Sequence, residues 1–143
     1  MFLGTFEPKL DEKGRIVLPA KFWEELSAGV VVTRGQDRCV NIYSQHDFDE
    51  LNSKLRTASM TDKRVRDYAR MLLSGASQEL PDKQRRVTIP AVLRSYAGLD
   101  RDLTVIGAGT HAEIWDTEAW NAYYNGAEDD FSNMTEEVVP GLF

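Results

Sequence analysis

The sequence has few residues of the kinds that build disulfide frameworks, metal clusters or membrane spans. Its 143 residues include one cysteine, Cys39, and two histidines, His46 and His111. One cysteine excludes an internal disulfide, and these three residues form no Cys/His cluster at zinc spacing. The longest apolar run, AGVVV from Ala28, is far shorter than the roughly 20 residues that cross a bilayer. We therefore expect a protein without metal or other cofactor, in a reducing cytoplasm, that is neither exported by a visible signal nor membrane-spanning.

Basic residues are absent from the C-terminal end of the chain. From residue 113 onward there are eight acids and no Lys or Arg. Residues 1–112 carry 17 bases and 15 acids, a formal charge of +2, although the whole chain has −6. Because the acidity is concentrated at one end, the net charge does not exclude an anionic partner. We interpret residues 126–143 as a polar acidic tail with a small apolar end.

The chain contains an internal repeat. DEKGRIVLPAKFW and DKQRRVTIPAVLR match at an offset of 71 residues: Asp11 with Asp82, Arg15 with Arg86, Pro19 with Pro90, and Ala20 with Ala91. After one inserted residue the match continues at an offset of 72 through Gly35 and Gly107. Two copies are too few for a solenoid, and about 70 residues make a marginal core. We predict two similar units with a pseudo-two-fold relation and a shared core, residues 1–76 and 77–143.

Each copy is predicted to form the same series of elements. Apolar–polar alternation interrupted by a turn indicates strand, turn and strand, and Lys13-Gly14 supplies the turn in the first copy. Pro19 and Pro90 suit the first position of a short helix. A second hairpin, turning at Gly35 or around residues 107–109, precedes a final helix in each copy.

A helix is predicted to link the copies over residues 61–77, with Thr61 as its N-cap. Its apolar face is expected to pack on the barrel or on a partner subunit. Its basic residues form either a solvated face or a contact with phosphate or a subunit; they are Lys63, Arg64, Arg66 and Arg70.

Both copies carry Asp-x-x-x-Arg across the first turn, written DEKGR and DKQRR. The aspartate can accept hydrogen bonds from the backbone of its own turn, and the arginine can pair with it or project outward. The two loops also hold a cluster of basic residues, which are Lys13, Arg15, Lys83, Arg85 and Arg86. Arginine binds guanine or phosphate with its planar fork, and Lys and Gln add phosphate or base-edge contacts. This pattern favours duplex DNA as the partner, although the Asp–Arg pairs could instead only fasten the hairpins.

Enzymatic function is not indicated by the sequence. GAGT at Gly107 lacks the Lys-Ser/Thr of a phosphate-binding loop and matches a hairpin turn in the other copy. Cys39 lies in a predicted strand, where a buried and inert thiol is the usual outcome. The carboxylates of the C-terminal tail are predicted to be solvated, so they are poor candidates for catalysis.

Two segments taken in order, MFLGTFEPKLDEKGRIVLPAKF and LSGASQELPDKQRRVTIPAVLRSYAGLDRDLTVIGAGTHAEIWD, closely resemble the bacterial MraZ family. The resemblance covers nearly the whole chain and weakens in the linker helices and the tail. It implies an α+β fold containing a small β-barrel of the AbrB-like swapped-hairpin type, built from two internal repeats in one chain with flanking helices. It also implies a ring-shaped homo-oligomer that binds direct repeats in DNA. Members regulate transcription of the division and cell wall gene cluster, including their own promoter.

The resemblance also implies roles for individual residues. Arg15 and Arg86 would be the principal DNA contacts, with Lys13 and Gln84 beside them. The carboxylates of Asp11 and Asp82 would orient the arginines or stabilise the turns, and Lys83 and Arg85 complete the expected basic surface.

One position departs from the family pattern, which usually has glycine where this chain has Arg85. If the position requires positive φ, arginine there costs on the order of 1 kcal/mol. Either the second hairpin adopts a different turn, or the added charge strengthens phosphate contact.

The leading hypothesis is therefore a cytoplasmic, nucleoid-associated transcription factor, most simply a repressor, that binds duplex DNA as an oligomer without a cofactor. The alternative is an oligomeric protein-interaction scaffold whose hairpins only build the assembly.

Overall fold

The computed structural model describes residues 1–142 and has a mixed α and β architecture. The strands are β1 Thr5–Phe6, β2 Arg15–Val17, β3 Val30–Arg34, β4 Val40–Ser44, β5 Ser77–Glu79, β6 Arg86–Thr88, β7 Leu103–Gly107 and β8 Ala112–Asp116. The helices are α1 Trp23–Leu26, α2 Gln45–Arg56, α3 Lys63–Ser74, α4 Ala91–Tyr96 and α5 Thr117–Ser132. Short 3₁₀ turns occur at Ala20–Phe22 and Gln36–Arg38.

The strands form two sheets, and both sheets join the two sequence copies. The larger sheet has the order β1-β7-β8-β4-β3-β5, and β2 pairs with β6 in a separate two-stranded antiparallel sheet. Strands β1 and β5, which open the two copies, each pair with a strand of the other copy, β7 and β3 respectively. The two copies therefore exchange strands, so that neither half completes its sheets alone.

One expectation about the strands needs correction, and a second, the closed barrel, is not confirmed. β1 and β2 do not pair with each other as a hairpin, since each pairs with the second copy. The six-stranded sheet has β1 and β5 at its edges, and the pairings of residues 1–142 contain no closed barrel. Backbone groups of short strands pair with whichever strand the tertiary fold brings alongside, and local alternation does not specify that strand.

The two-stranded sheet has a register that reflects the repeat. Ile16 faces Val87, and these two residues are equivalent positions of the repeat because they are 71 residues apart. The pseudo-two-fold axis therefore passes between them. Arg15 then faces Thr88, and Val17 faces Arg86. Ile16 and Val87 are buried, and their neighbours alternate outward as a strand with period two requires. We call this two-stranded sheet the ribbon.

The core is shared by the two copies. The ribbon covers one part of it with Ile16 and Val87, and Phe22 packs edge-on against Phe2 and Phe6 at ring-centre distances of 5.0 and 5.1 Å. The largest fully buried side chains come from both copies and include Leu18, Leu26, Ile42, Ile89, Leu93, Leu103 and Ile114. Burying one such side chain contributes about 1.5–3 kcal/mol. Separating the copies would expose this surface, which agrees with mutual dependence of the halves.

Helix starts differ from the prediction by one residue. Pro19 and Pro90 are the residues before the first turns, at the N-cap position, instead of the first helical residues. The N-cap of α3 is Asp62, whose carboxylate accepts a hydrogen bond from the backbone N–H of Arg64. The expected cap, Thr61, instead shares a hydrogen bond with the Ser59 hydroxyl. A carboxylate is at least as good a cap as a hydroxyl, so the neighbouring position prevails.

The acidic tail is not wholly irregular, because α5 continues past Gly126 to Ser132. Aromatic residues at the start of α5 pack against the sheet, and the Trp120 ring meets the buried Trp115 edge-on at a ring-centre distance of 5.3 Å. Cys39 is fully buried, as predicted, and burial raises the pKa of its thiol to about 12.

Within the described part of the chain, every helix is too short or too polar to span a membrane.

Candidate nucleic-acid interface

The two Asp-x-x-x-Arg loops, residues 11–15 and 82–86, fold into the same turn. We call them tip 1 and tip 2. In tip 1 the backbone N–H of Asp11 donates to the carbonyl of Arg15 at 2.9 Å, and that of Gly14 donates to the carbonyl of Asp11 at 3.0 Å. In tip 2 the corresponding distances, from Asp82 to Arg86 and from Arg85 to Asp82, are both 3.0 Å.

Each aspartate carboxylate organises its own tip. In tip 1, Oδ1 of Asp11 accepts from the backbone N–H groups of Lys13 at 2.9 Å and Arg15 at 2.8 Å. Oδ2 accepts from Nε of Arg15 at 2.8 Å. These hydrogen bonds, chiefly that from the Arg15 backbone, lower the pKa of Asp11. The aspartate is thus ionised at neutral pH and holds the arginine by its Nε.

Tip 2 has the equivalent contacts at nearly the same distances. Oδ1 of Asp82 accepts from the backbone N–H groups of Gln84 and Arg86, both at 2.9 Å. Oδ2 accepts from Nε of Arg86 at 2.7 Å. The pKa of Asp82 is lowered for the same reason, with the backbone N–H of Arg86 as the largest cause. Both carboxylates therefore accept hydrogen bonds from the backbone of their own tip and from Nε of its arginine.

The two arginines keep their terminal nitrogens available. Arg15 and Arg86 use Nε for the carboxylate, and neither Nη1 nor Nη2 of either residue has a hydrogen-bond partner among residues 1–142. Their side chains are 25% and 32% exposed. A guanidinium that is fixed at Nε presents its two terminal N–H groups as a fork, which suits guanine or phosphate.

Both forks lie on one face of the ribbon. Arg15 and Arg86 point outward, because the residues that follow them, Ile16 and Val87, are buried. The arginines are diagonal neighbours across the two strands, which corresponds to a Cα separation of roughly 7–8 Å. The tips lie at opposite ends of this short ribbon, since Leu18 donates to the Arg85 carbonyl at 2.8 Å and Ile89 donates to the Gly14 carbonyl at 2.8 Å.

Arg85 does not change the turn, so the alternative of a different second hairpin is wrong. Arg85 has φ of 61°, close to the 77° of its counterpart Gly14. Its Nε donates to the carbonyl of Leu18 at 3.3 Å, which turns the side chain back towards the ribbon. Among the basic residues of the predicted site, Arg85 is therefore the one whose side chain bonds to a residue outside its own tip.

A further arginine, which sequence reasoning missed, lies over tip 1. A Cβ placed on Gly14 would lie 1.8 Å from Nη1 of Arg94, so the guanidinium of Arg94 occupies that space. Tip 1 thus receives from α4 a positive charge beside the turn, where tip 2 has Arg85. Arg94 is eight residues beyond Arg86, and no local pattern links it to Gly14. Only the tertiary contact between the Arg94 side chain and Gly14 reveals it.

The remaining predicted residues are at the ends of the tips. Lys13, Lys83 and Gln84 are exposed. Their side chains make no hydrogen bond or ion pair with residues 1–142. They stand beside Arg15 and Arg86, where they can extend a contact with phosphates or base edges.

A group of possible metal ligands occurs at the start of α2. One ligand atom each from His46, Asp47 and Glu50 lies within 4.8 Å of the others. The histidine ring is within 3.4 Å of Asp47 and 3.6 Å of Glu50. Its side chain is 79% exposed, and polar contacts in solvent explain this arrangement without a cation.

Comparison with known proteins agrees with the repeat and with the resemblance. The profile of the family described as "MraZ protein, putative antitoxin-like" matches residues 1–71 and again residues 72–140. Similar proteins named "Transcriptional regulator MraZ" occur in Leifsonia xyli subsp. xyli, 64% identical, and Micrococcus luteus, 57% identical, each aligned over the whole of both chains. That of Paenarthrobacter aurescens is 59% identical over 99% of each chain. The resemblance drawn from the paired tips is confirmed: this chain belongs to the MraZ family.

Proposed function

We propose that this protein is a transcriptional regulator that binds duplex DNA through the outward face of its ribbon. The observation that carries the proposal is the pair of matching tips, which hold Arg15 and Arg86 by Nε and leave both forks free on one face. A structural fastening would need only the carboxylate contact, whereas the unpaired terminal nitrogens offer donors to a partner. Two-stranded antiparallel ribbons fit the major groove, where arginine recognises guanine.

The rest of the site surrounds these arginines. Lys13, Lys83 and Gln84 would contact phosphates or base edges from the tips, and Arg85 would add positive charge beside tip 2. Asp11 and Asp82 would orient the arginines. The proteins named as transcriptional regulators align with this chain over its whole length, which supports the same role here.

The finer features implied by the family belong to the same proposal. We propose a ring-shaped homo-oligomer in which several subunits present their ribbons to direct repeats in the promoter of the division and cell wall cluster, including the protein's own. The exchange of strands between the copies supports a relation to AbrB-like swapped hairpins. We also propose units of residues 1–76 and 77–143, and a cytoplasmic, nucleoid-associated protein that represses transcription without catalysis.

The test is fluorescence anisotropy with the protein's own upstream DNA and a shuffled control. Replacing Arg15 and Arg86 together by alanine should weaken specific binding at least about 30-fold, because each bidentate contact contributes about 1–3 kcal/mol. The matched control, Lys54→Ala with Arg56→Ala, removes the same charge from α2 and should leave the preference for upstream DNA intact. A loss of no more than twofold in the arginine variant would refute the site.

Salt dependence provides a second, independent measurement. If each subunit neutralises roughly two to four phosphates, log affinity should fall with log salt by about 0.9 per phosphate neutralised. Affinity for upstream DNA that does not change with salt would contradict a phosphate-contacting surface.

A second function, a protein-interaction scaffold, is favoured by a different observation. Apolar side chains are exposed on α3 and along the C-terminal segment, among them Tyr68, Met71, Phe131, Met134 and Val138. Such surfaces suit contacts with other proteins or other copies. The scaffold predicts equal binding of upstream and shuffled DNA, and the same anisotropy experiment decides between the two.

A further inference from the structure

The outward face of the ribbon holds two side chains that the DNA-binding proposal does not use. Val17 and Thr88 alternate with the buried Ile16 and Val87, so they point to the same side as the arginines. Val17 is 43% exposed. Neither side chain makes a hydrogen bond within residues 1–142. The face is thus a square of four side chains in which each arginine has a β-branched neighbour.

The pseudo-two-fold relates these two side chains to each other. Val17 and Thr88 are 71 residues apart, the same offset that relates Arg15 to Arg86. Across the strands, Arg15 faces Thr88 and Val17 faces Arg86. Both copies therefore place a γ-methyl group directly beside the arginine of the other copy.

The chemistry of the major groove supplies a partner for this arrangement. Thymine is distinguished there by its C5-methyl group, which apolar contacts such as a threonine methyl recognise. Residues two apart on a strand are separated by about 6.8 Å, which is about two base steps of 3.4 Å. An arginine on guanine would therefore place the methyl group of Val17 or Thr88 within about two steps of that guanine.

We infer that Val17 and Thr88 are specificity-determining residues that contact the C5-methyl groups of thymines next to the guanines bound by Arg15 and Arg86. This inference rests on the proposed binding of DNA by the ribbon face. The competing explanation is that β-branched residues simply favour strands. That explanation accounts for the residue types but predicts no dependence on a methyl group of the DNA.

The test removes methyl groups on both sides of the contact: one from the DNA, one from Thr88 and the two γ-methyl groups from Val17. Each thymine of the bound upstream site is replaced in turn by uracil, which lacks only the C5-methyl group, and affinity is measured for wild type, Val17→Ala and Thr88→Ser. At one or more positions the uracil should weaken wild-type binding roughly fourfold, as expected for exposing one methyl group. At those positions the same uracil should have no effect on the variant that lacks the contacting methyl.

The outcomes separate this inference from the proposed function. Two results would overturn the methyl contact. In the first, wild type binds every uracil-containing site as tightly as the thymine site. In the second, uracil weakens binding by the variants as much as it weakens binding by wild type. Specific binding that depends on Arg15 and Arg86 would survive either result. If the arginine variant retains specific binding, the DNA-binding face itself is refuted. Thermal unfolding of Val17→Ala and Thr88→Ser, both changed at exposed positions, verifies that the fold is unchanged.

Discussion

Replacing Gly14 by alanine should destabilise the protein for two separable reasons. Gly14 has φ of +77°, a conformation that costs an L-residue about 1–2 kcal/mol. The smaller entropy of the unfolded alanine chain offsets about 0.4–1 kcal/mol of this. The new Cβ would also lie 1.8 Å from Nη1 of Arg94, so this side chain must move. The side chain of Arg94 has no hydrogen-bond or ion-pair partner within residues 1–142, so displacing it should cost only roughly 0.5 kcal/mol.

The control for the first cost is Gly109→Ala. Gly109 has φ of +86°, and a Cβ there would meet nothing within 4 Å, so it incurs the conformational cost without a clash. We expect Gly109→Ala to lower the free energy of unfolding by about 1 kcal/mol and Gly14→Ala to lower it by roughly 0.5 kcal/mol more. Urea unfolding measures both values.

A double-mutant cycle identifies the second cost. In an Arg94→Ala background, Gly14→Ala should cost no more than Gly109→Ala, because the guanidinium is no longer in the way. Equal costs for the two glycines in the wild-type background would show that Arg94 does not lie over tip 1. An excess that persists after Arg94 is removed would place the clash elsewhere.

Three further predictions concern the tail, the thiol and the aspartates. Deleting the residues after Gly126, which include five acids, should raise affinity for unrelated DNA more than for upstream DNA, because the tail repels phosphate; an unchanged ratio of the two affinities would contradict this. Cys39 is fully buried and has a pKa of about 12, so a thiol-specific reagent at pH 8 should label it far more slowly than free cysteine; equal rates would contradict its burial. The pKa values of Asp11 and Asp82 lie below the usual 3.8 in the folded protein, so their stabilising effect is present above that pH and is lost as pH falls through the folded values. Urea unfolding from pH 6 to pH 3 should show this decline, and the decline should be smaller in Asp11→Asn with Asp82→Asn.

Much of the candidate site could be predicted from the sequence because its geometry is local. The carboxylate of Asp11 reaches Arg15 within one turn, and the same is true of Asp82 and Arg86. Hydrogen bonds between residues four apart depend little on the rest of the fold, so Asp-x-x-x-Arg is enough to predict the tip. The family resemblance and the repeat period are likewise properties of the chain alone. Arg85, the one departure from the family pattern, adopts positive φ, and the backbone hydrogen bonds of tip 2 still form.

Alternation along the chain predicted strands on both sides of each tip. It did not predict the strand against which they pack, because a period of two specifies a face and not a partner. The pairing of β2 with β6 joins residues about 70 positions apart. That pairing, and not any local pattern, places Arg15 and Arg86 on one face with Val17 and Thr88 between them.

The sequence alone therefore determined the repeat and the two tips, since the repeat is visible in the residues themselves and each tip depends on contacts among five consecutive residues. The tertiary structure decided the exchange of strands between the copies, the joint face for the two arginines and the position of Arg94 over Gly14. These features arise from contacts between distant segments, which form only when both copies bury their apolar faces in one shared core.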